Sequence, residues 1–225
     1  MKRSVINALI GEAIEFFESM NFKLPAFGYF SLTDWQKVKD NCREIFELEL
    51  GWDITDFGLG DFKNKGLILF TIRNGKYTGK QYKKPYAEKI MVVDVGQVTP
   101  YHYHWHKMED IINRGGGSLV FQLHQATKDD EMSDEPVKIS VDGIKREVMA
   151  GEKLYLNSGE SLTLPPRLYH KFYGDNSRVL VGEVSSVNDD ASDNNFYDDI
   201  GRFPDIEEDV MPEYLLCSDY QKFLF

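Results

Sequence analysis

Only two cysteines, Cys42 and Cys217, occur in 225 residues, far apart and outside any CxxC pair. That excludes a disulfide framework and points to reduced structural thiols, the usage of a cytoplasmic protein. Long apolar runs are also missing. The longest, Leu67–Ile72 and Ile90–Val93, fall far short of the roughly 18–20 residues that a spanning helix needs, so no membrane partner is expected. No basic segment followed by an apolar stretch opens the chain, so a secretory leader is not expected either. Basic charge is in deficit: 26 Lys plus Arg against 37 Asp plus Glu leave −11, the wrong sign for a nucleic-acid partner. The acids thicken in the last forty residues, where solvated loop charge accounts for them. What remains is a length for one large domain, or at most two small ones, ample to bury a core.

Its texture changes along the chain. Ile6, Leu9, Ile10, Ala13, Ile14, Phe17 and Met20 recur at the helical period. After Pro25 and Gly28 a second helix is expected from Thr33, capped by its hydroxyl with Gln36 reaching back. Trp35, Val38, Cys42, Ile45 and Phe46 form its stripe, and Gly51 ends it. From about residue 66 short β-type runs follow one another: 67–73, 88–95, 98–105, 118–125, 137–141, 145–149, 153–156, 161–164, 169–173 and 178–187. Asn74-Gly75 after the first run is a strong hairpin signal, and Asp142-Gly143 is another. Many short strands at this spacing predict a mainly β sandwich or barrel. The expected organisation is a single domain over 1–225: a helical extension (1–60), a β-barrel (61–187), and a C-terminal loop with an apolar docking segment (188–225).

Histidine is scarce, with five in the chain, and three of them fall in one window, His102, His104 and His106. On a strand alternate side chains share a face, so His102 and His104 can point at one ion. Glu109 can return a carboxylate from the following turn, and His170 lies at the start of a later strand. Together they make a mixed set of three imidazoles and one carboxylate. Such a set suits Mn, Fe, Co, Ni or Zn and leaves positions open on a five- or six-coordinate ion. The spacing is more specific than the pair alone. Gly96, five residues, His-x-His, four residues, Glu109, six residues and Gly116 form one motif, while Gly159, five residues, Pro165, four residues and His170 form a second.

These two motifs resemble those of the cupin superfamily, which implies a small jelly-roll barrel and the ligands His102, His104, Glu109 and His170. Two positions depart from the pattern: Arg167 stands where a glycine usual follows the proline, and Gly174 where the motif usually closes on Asn. His106 receives no ligand role from the resemblance. Longer stretches narrow it: HYHWHKMEDIINRGGG at 102–117, GWDITDFG at 51–58, GEVSSVNDD at 182–190 and IGRFP at 200–204. Nearly the whole chain is similar to the D-lyxose isomerases. The resemblance implies a cytoplasmic, usually Mn²⁺-dependent homodimer that interconverts D-lyxose with D-xylulose and D-mannose with D-fructose. Co²⁺, Ni²⁺, Fe²⁺ or Zn²⁺ are the other ions such ligands take.

The residues suit that chemistry. Aldose–ketose isomerisation moves a proton between C1 and C2 and stabilises charge on the two oxygens, work for a divalent ion and a carboxylate. Glu109 and Glu183 are the two carboxylates available; Glu183 shares strand parity with Val179 and Val181, which points it inward. Lys107 can neutralise a substrate oxyanion. Arg167 and Tyr169 flank His170 and can reach sugar hydroxyls, Trp105 offers a stacking face, and Asp189, Asp190 and Arg202 can form a lid over the sugar. Three other readings share the ligand set. An oxidative cupin, or dioxygenase, needs a redox-active ion and an apolar pocket. A phosphosugar isomerase needs a basic phosphate cradle, for which Arg114 with Gly115–Gly117 is the sole candidate. A non-enzymatic cupin would keep the metal for stability, but four ligands plus a base exceed what a structural site requires.

Overall fold

The stripe Ile6, Ile10, Ala13 and Phe17 forms one buried face of helix α1 (Arg3–Ser19) in the computed structural model, which describes residues 1–77 and 81–225. That face lies on the outer side of the first strands, against Trp52, Ile54, Ile68, Phe70, Ile90 and Val92. Phe17 stacks on Trp52 with ring centroids 6.0 Å apart. Among the described residues no helix is long and apolar enough to cross a membrane.

The second helix begins two residues earlier than expected. Helix α2 (Leu32–Val38) is capped by Ser31, whose hydroxyl accepts from the Asp34 N–H while the Asp34 carboxylate accepts from the Ser31 N–H. Ser31/Asp34 outcompetes Thr33/Gln36 because a carboxylate in the first turn also meets the positive end of the helix. The stripe does not continue as one helix: a 3₁₀ turn at Lys39–Asn41 separates α2 from α3 (Arg43–Glu47). Gly51 does not end a helix but opens strand β1 (Gly51–Thr55) at φ 116°. A Cβ there would fall 2.4 Å from the Tyr220 hydroxyl, so glycine is what lets the C-terminal segment close on this strand. The expected helical extension over 1–60 is therefore corrected: its last residues are the first strand.

Strand β1 pairs with β2 (Leu67–Arg73), and β2 with β3 (Tyr86–Val93), both antiparallel. Asn74-Gly75 does not make a tight hairpin, because residues 74–85 connect β2 to β3. The two sheet halves are held together by β5 (Glu109–Gln125) and β10 (Leu168–Ser186), which pair with each other along most of their length. The two expected runs 169–173 and 178–187 are thus one strand, bent where the register shifts between Asp175 and Val179. β4 (Thr99–His104) pairs with β10 on one edge. β6 (Val137–Val141) and β7 (Ile144–Val148) form a hairpin turned by Asp142 and Gly143, both at positive φ as a primed turn requires. β8 (Leu154–Leu156) and β9 (Ser161–Leu164) add to β5. The strands close around an inner core that includes Leu69, Met91, Ile111, Phe121, Phe172 and Val181. This is the mainly β jelly-roll expected from the sequence.

Residues after 187 are not only loop. β11 (Asn194–Phe196) folds back to pair with β4, and helix α4 (Tyr220–Leu224) packs with Leu215 around Trp35. The chain ends are tied by Arg3, which is wholly buried. Its guanidinium bonds both oxygens of Glu208 at 2.8 Å and both oxygens of Asp219 at 2.8 and 2.9 Å. Hydrogen bonds from Arg3, with another from Lys222, lower the Glu208 carboxyl to about 2. A carboxyl lowered on folding stabilises the fold above its ordinary value near 4.5, and that contribution fades as pH falls from there towards 2. Because Glu208 keeps some solvent exposure, its share is about 1 kcal/mol. Urea midpoints between pH 6 and pH 2.5 check this: Glu208→Gln should lose less stability over that interval than the wild type does.

Candidate metal centre

His102 and His104 alternate along β4 and face inward, and His170 on β10 sits directly opposite His102 in the strand register. The potential ligand atoms of the three imidazoles all lie within 4.8 Å of one another, in a buried position. Glu109, at the start of β5, brings Oε1 to 3.3 Å from His104 Nε2 and 3.2 Å from His170 Nε2. The sequence-expected quartet is therefore assembled in one place.

The donor set fits a divalent cation. The Nδ1 atoms of His102 and His170 lie 2.8 and 3.0 Å from the backbone oxygens of Pro100 and Leu168. A carbonyl only accepts, so each Nδ1 carries the proton and each Nε2 presents a bare lone pair. Burial, then the neighbouring His170 and His104, push His102 well below its ordinary value. Burial and then Lys107 also lower His104. Neutral imidazoles are the ligating form. Among the described residues His170 Nε2 is buried without a hydrogen-bond partner, an arrangement that costs free energy unless something electropositive meets its lone pair.

Beyond the imidazoles the wall is a run of charges of alternating sign. Lys107 Nζ lies 2.7 Å from Glu109 Oε2 and 3.0 Å from Glu183 Oε1. Lys89 Nζ lies 3.9 Å from Glu183 Oε2 and 3.3 Å from Asp190 Oδ2. Arg202 Nη2 continues the run, 3.2 Å from Asp190 and 2.5 Å from Asp53. Burial by itself would raise the Glu109 carboxyl, but Lys107 and then His104 hold it well below the usual range. Burial likewise opposes ionisation of Asp190, and Lys89 with Arg202 outweighs it. Burial would lower Lys107, yet Glu109 and Glu183 raise it above its ordinary value. Lys107, Glu109 and Asp190 are thereby held in their charged forms. Arg202 Nη1 is buried without a partner among the described residues, on the wall of the same cavity.

That cavity is narrow, with about 50 Å³ of free volume. Its polar arc carries the three histidines, Glu109, Lys107, Glu183, Lys89, Asp190 and Arg202, and its apolar arc includes Phe57, Leu69, Met91 and Phe196. Phe57 is held at φ 56°, unusual for a bulky residue. Two contacts fix it: its N–H bonds Thr55 Oγ1 at 2.8 Å, and its carbonyl accepts from the Gly201 N–H at 3.1 Å.

Arg167 and Tyr169, expected to touch substrate, are not on this cavity. Tyr169 alternates with His170 and so faces away; its hydroxyl donates to the Asp130 carbonyl at 2.7 Å. Arg167 takes the left-handed φ of 62° usual for glycine in the cupin motif. It turns outward to Asp130 and over the rings of Tyr103 and Trp105. Trp105, partly exposed against Tyr103, is no stacking face for the site. His106 points to solvent, and Asp189 caps the turn at Ala191 and Ser192. Arg114 lies exposed, away from the cavity lining. Sequence reasoning missed Lys89, Asn188, Asn194 and Asp193. Lys89 carried a readable signal, since it shares parity with Met91 and Val93 on an inward-facing strand side. Asp193 did not: its carboxylate holds the backbone N–H groups of His106 and Lys107, at 2.8 and 3.0 Å, from 86 or more residues away.

Residues 1–220 match the family model described as D-lyxose isomerase. A D-lyxose/D-mannose isomerase of Serratia proteamaculans is 48% identical over 227 residues, covering the whole of both chains. A protein of the same name from Escherichia coli O157:H7 is 46% identical over 99% of this chain and 100% of its own. Among solved structures, L-ribose isomerase of Acinetobacter sp. DL28 in complex with L-ribose aligns at a TM-score of 0.61 and 15% identity, over 92% of this chain and 98% of that one. The L-ribose isomerase of Cellulomonas parahominis gives 0.57 at 15% identity over the same shares. At that identity the likeness is one of fold.

Proposed function

This chain belongs to the D-lyxose isomerase family, and from that premise we propose that it is a divalent-metal-dependent aldose–ketose isomerase. Its substrates are free sugars, D-lyxose with D-xylulose and D-mannose with D-fructose, and its ion is Mn²⁺ before Co²⁺, Ni²⁺, Fe²⁺ or Zn²⁺. The same reading makes it a cytoplasmic homodimer. One observation carries it: a buried imidazole triad shares a cavity with a carboxylate that has an oxygen free to work.

His102, His104, His170 and Glu109 would hold the ion. When bound, it supplies Lewis acidity that favours loss of the C2 proton of the aldose and stabilises charge on the neighbouring oxygens. Glu183 is the group that carries the proton between C2 and C1. Its Oε1 is occupied by Lys107 and by the Ser185 hydroxyl, each at 3.0 Å. Oε2 lies 3.9 Å from Lys89 Nζ, takes no hydrogen bond among the described residues, and is the oxygen left to accept a proton. Glu109, the other carboxylate considered for this step, has Oε1 among the histidines and Oε2 on Lys107, so its role is that of ligand. Lys107 bridges both carboxylates and places a positive charge beside the site. Arg202 Nη1 and Asp190 offer a donor and an acceptor to sugar hydroxyls. A phosphosugar is disfavoured, because Lys89, Lys107 and Arg202 are each already engaged by carboxylates.

The deciding experiment strips the protein of metal and follows conversion of D-lyxose to D-xylulose with and without added Mn²⁺, in H₂O and in D₂O. Turnover restored by Mn²⁺, with solvent deuterium at C1 of the product, is expected from proton transfer through an enediol. Metal-loaded protein that turns over neither lyxose, mannose nor xylulose would overturn the reading; oxygen consumption would then test the oxidative alternative.

A further inference from the structure

Asn74, the residue whose pairing with Gly75 reads as a hairpin turn, is buried behind the polar arc of the cavity. Its Nδ2 donates to the Asn188 carbonyl at 2.9 Å, and its Oδ1 accepts from the Asn188 N–H at 3.0 Å and the Gly75 N–H at 2.8 Å. The backbone of Asn188 is therefore gripped at both its polar groups by one side chain. The Asn188 side chain points the other way. Its Oδ1 accepts from Lys89 Nζ at 2.7 Å and from Lys107 Nζ at 3.3 Å. Gly75 is fixed by space, since a Cβ would fall 1.7 Å from the Lys84 carbonyl oxygen.

The consequence lies in the hydrogen-bond count of the two buried ammonium groups. Each has three N–H donors. Those of Lys107 are matched by Glu109, Glu183 and Asn188. Without Asn188, Lys107 would have one buried N–H unpaired and freedom to swing between two carboxylates. The amide oxygen suits this position because it accepts from both lysines without adding a charge that would compete with Glu183 for Lys107. Neither Asn74 nor Asn188 lines the cavity, so neither is a substrate contact.

We propose that Asn74 is a positioning residue for the isomerisation: by clamping the backbone of Asn188 it sets the amide oxygen that fixes Lys107 against Glu183 and Lys89 against Asp190. The proposal rests on the isomerase reading above. Its signature is a chain of dependence, Asn74 through Asn188 to the lysines, which a residue that merely secures a loop does not have.

The test uses metal-loaded wild type, Asn74→Ala, Asn188→Ala, the double variant, and Asn188→Asp, with kcat and KM measured well below each Tm and metal content checked. Asn74→Ala should lower kcat by about 10–100-fold, the usual cost of losing an outer-shell partner, while KM stays within about three-fold. The double variant should be no slower than Asn188→Ala alone, because the second change removes a group that acts only through the first. Asn188→Asp should be slow despite its matching shape. If Asn74→Ala does not fold, Asn74→Asp carries the same reading: it keeps the acceptor for the Asn188 N–H and loses the donor to its carbonyl. A lowered Tm with unchanged kcat, or additive losses in the double variant, would overturn the proposal while the isomerase reading stands. A wild type inert on all of these sugars overturns both.

Discussion

Glu183→Gln is expected to lower kcat on D-lyxose by about 10²–10⁴-fold, the range that a positioned general acid–base contributes. The substitution keeps the shape of the side chain, and its Oε1 can still accept from Lys107 and Ser185 as the carboxylate does at 3.0 Å. What it loses is basicity at the second position, where an NH₂ cannot take up a proton. KM should change little, since a group that acts in proton transfer contributes mainly to the transition state. Exchange of solvent deuterium into C1 should fall with kcat. Glu109→Gln provides the contrast. Glu109 Oε1 lies within 3.3 Å of two imidazoles, so its loss should show as reduced metal retention, whereas Glu183→Gln should keep its metal. A Glu183→Gln variant within about five-fold of wild type would remove Glu183 from the proton-transfer step, because the effect would fall below the range for such a group.

The largest effect on stability is expected from Arg3→Met, a loss of about 3–5 kcal/mol. Removing one partner of a buried ion pair leaves the other charge uncompensated. Here the partner left behind is Asp219, 4% exposed, with Glu208 beside it. Burial alone would lower the Arg3 guanidinium, but its hydrogen bonds to Glu208 and Asp219 raise it, which marks how closely the charges depend on each other. For a chain of this length that loss corresponds to a Tm lower by roughly 6–20 °C. Arg3→Met combined with Asp219→Asn should recover part of it. The Asn oxygen can still accept from the Leu216 N–H, as Asp219 does at 2.9 Å, while the orphaned charge is gone. Activity per folded molecule should not change, since none of these residues lines the cavity. Equal Tm values for wild type and Arg3→Met would show that the link between the chain ends contributes nothing.

The gathering of His102, His104 and Glu109 was legible in the sequence for a local reason. His102 and His104 share a strand face by alternation alone, and Glu109 follows in the next strand after a short turn, so spacing along the chain encodes spacing in the site. The inward face of Glu183 was legible by the same parity. Arg167 and Tyr169 show where that logic was misapplied, since proximity in sequence to His170 put Tyr169 on the opposite face of the strand. The charge run was less legible. The sequence offers Asp190 and Arg202 as a lid over the sugar, but Lys89 and Asp53, which engage them in the cavity wall, come from other strands. Asn74 and Gly75 carried a strong turn signal with a local meaning, and the tertiary structure gave them a different one.

By itself the sequence determined most of the strands, the buried helix stripe and the clustering of His102, His104 and Glu109, all of which depend on periods of two or 3.6 residues or on short fixed spacings. Only the tertiary structure decided which acids are solvent charge and which are buried partners. Asp189 is a half-buried turn cap while Asp190, its neighbour, joins Lys89 and Arg202 inside. Glu208 and Asp219 close on Arg3 from more than 200 residues away. A carboxylate looks the same in sequence whether it faces water or a buried cation. The difference is made by the opposite charge the fold brings within about 3–4 Å, because only in a desolvated setting does that charge outweigh the cost of burial.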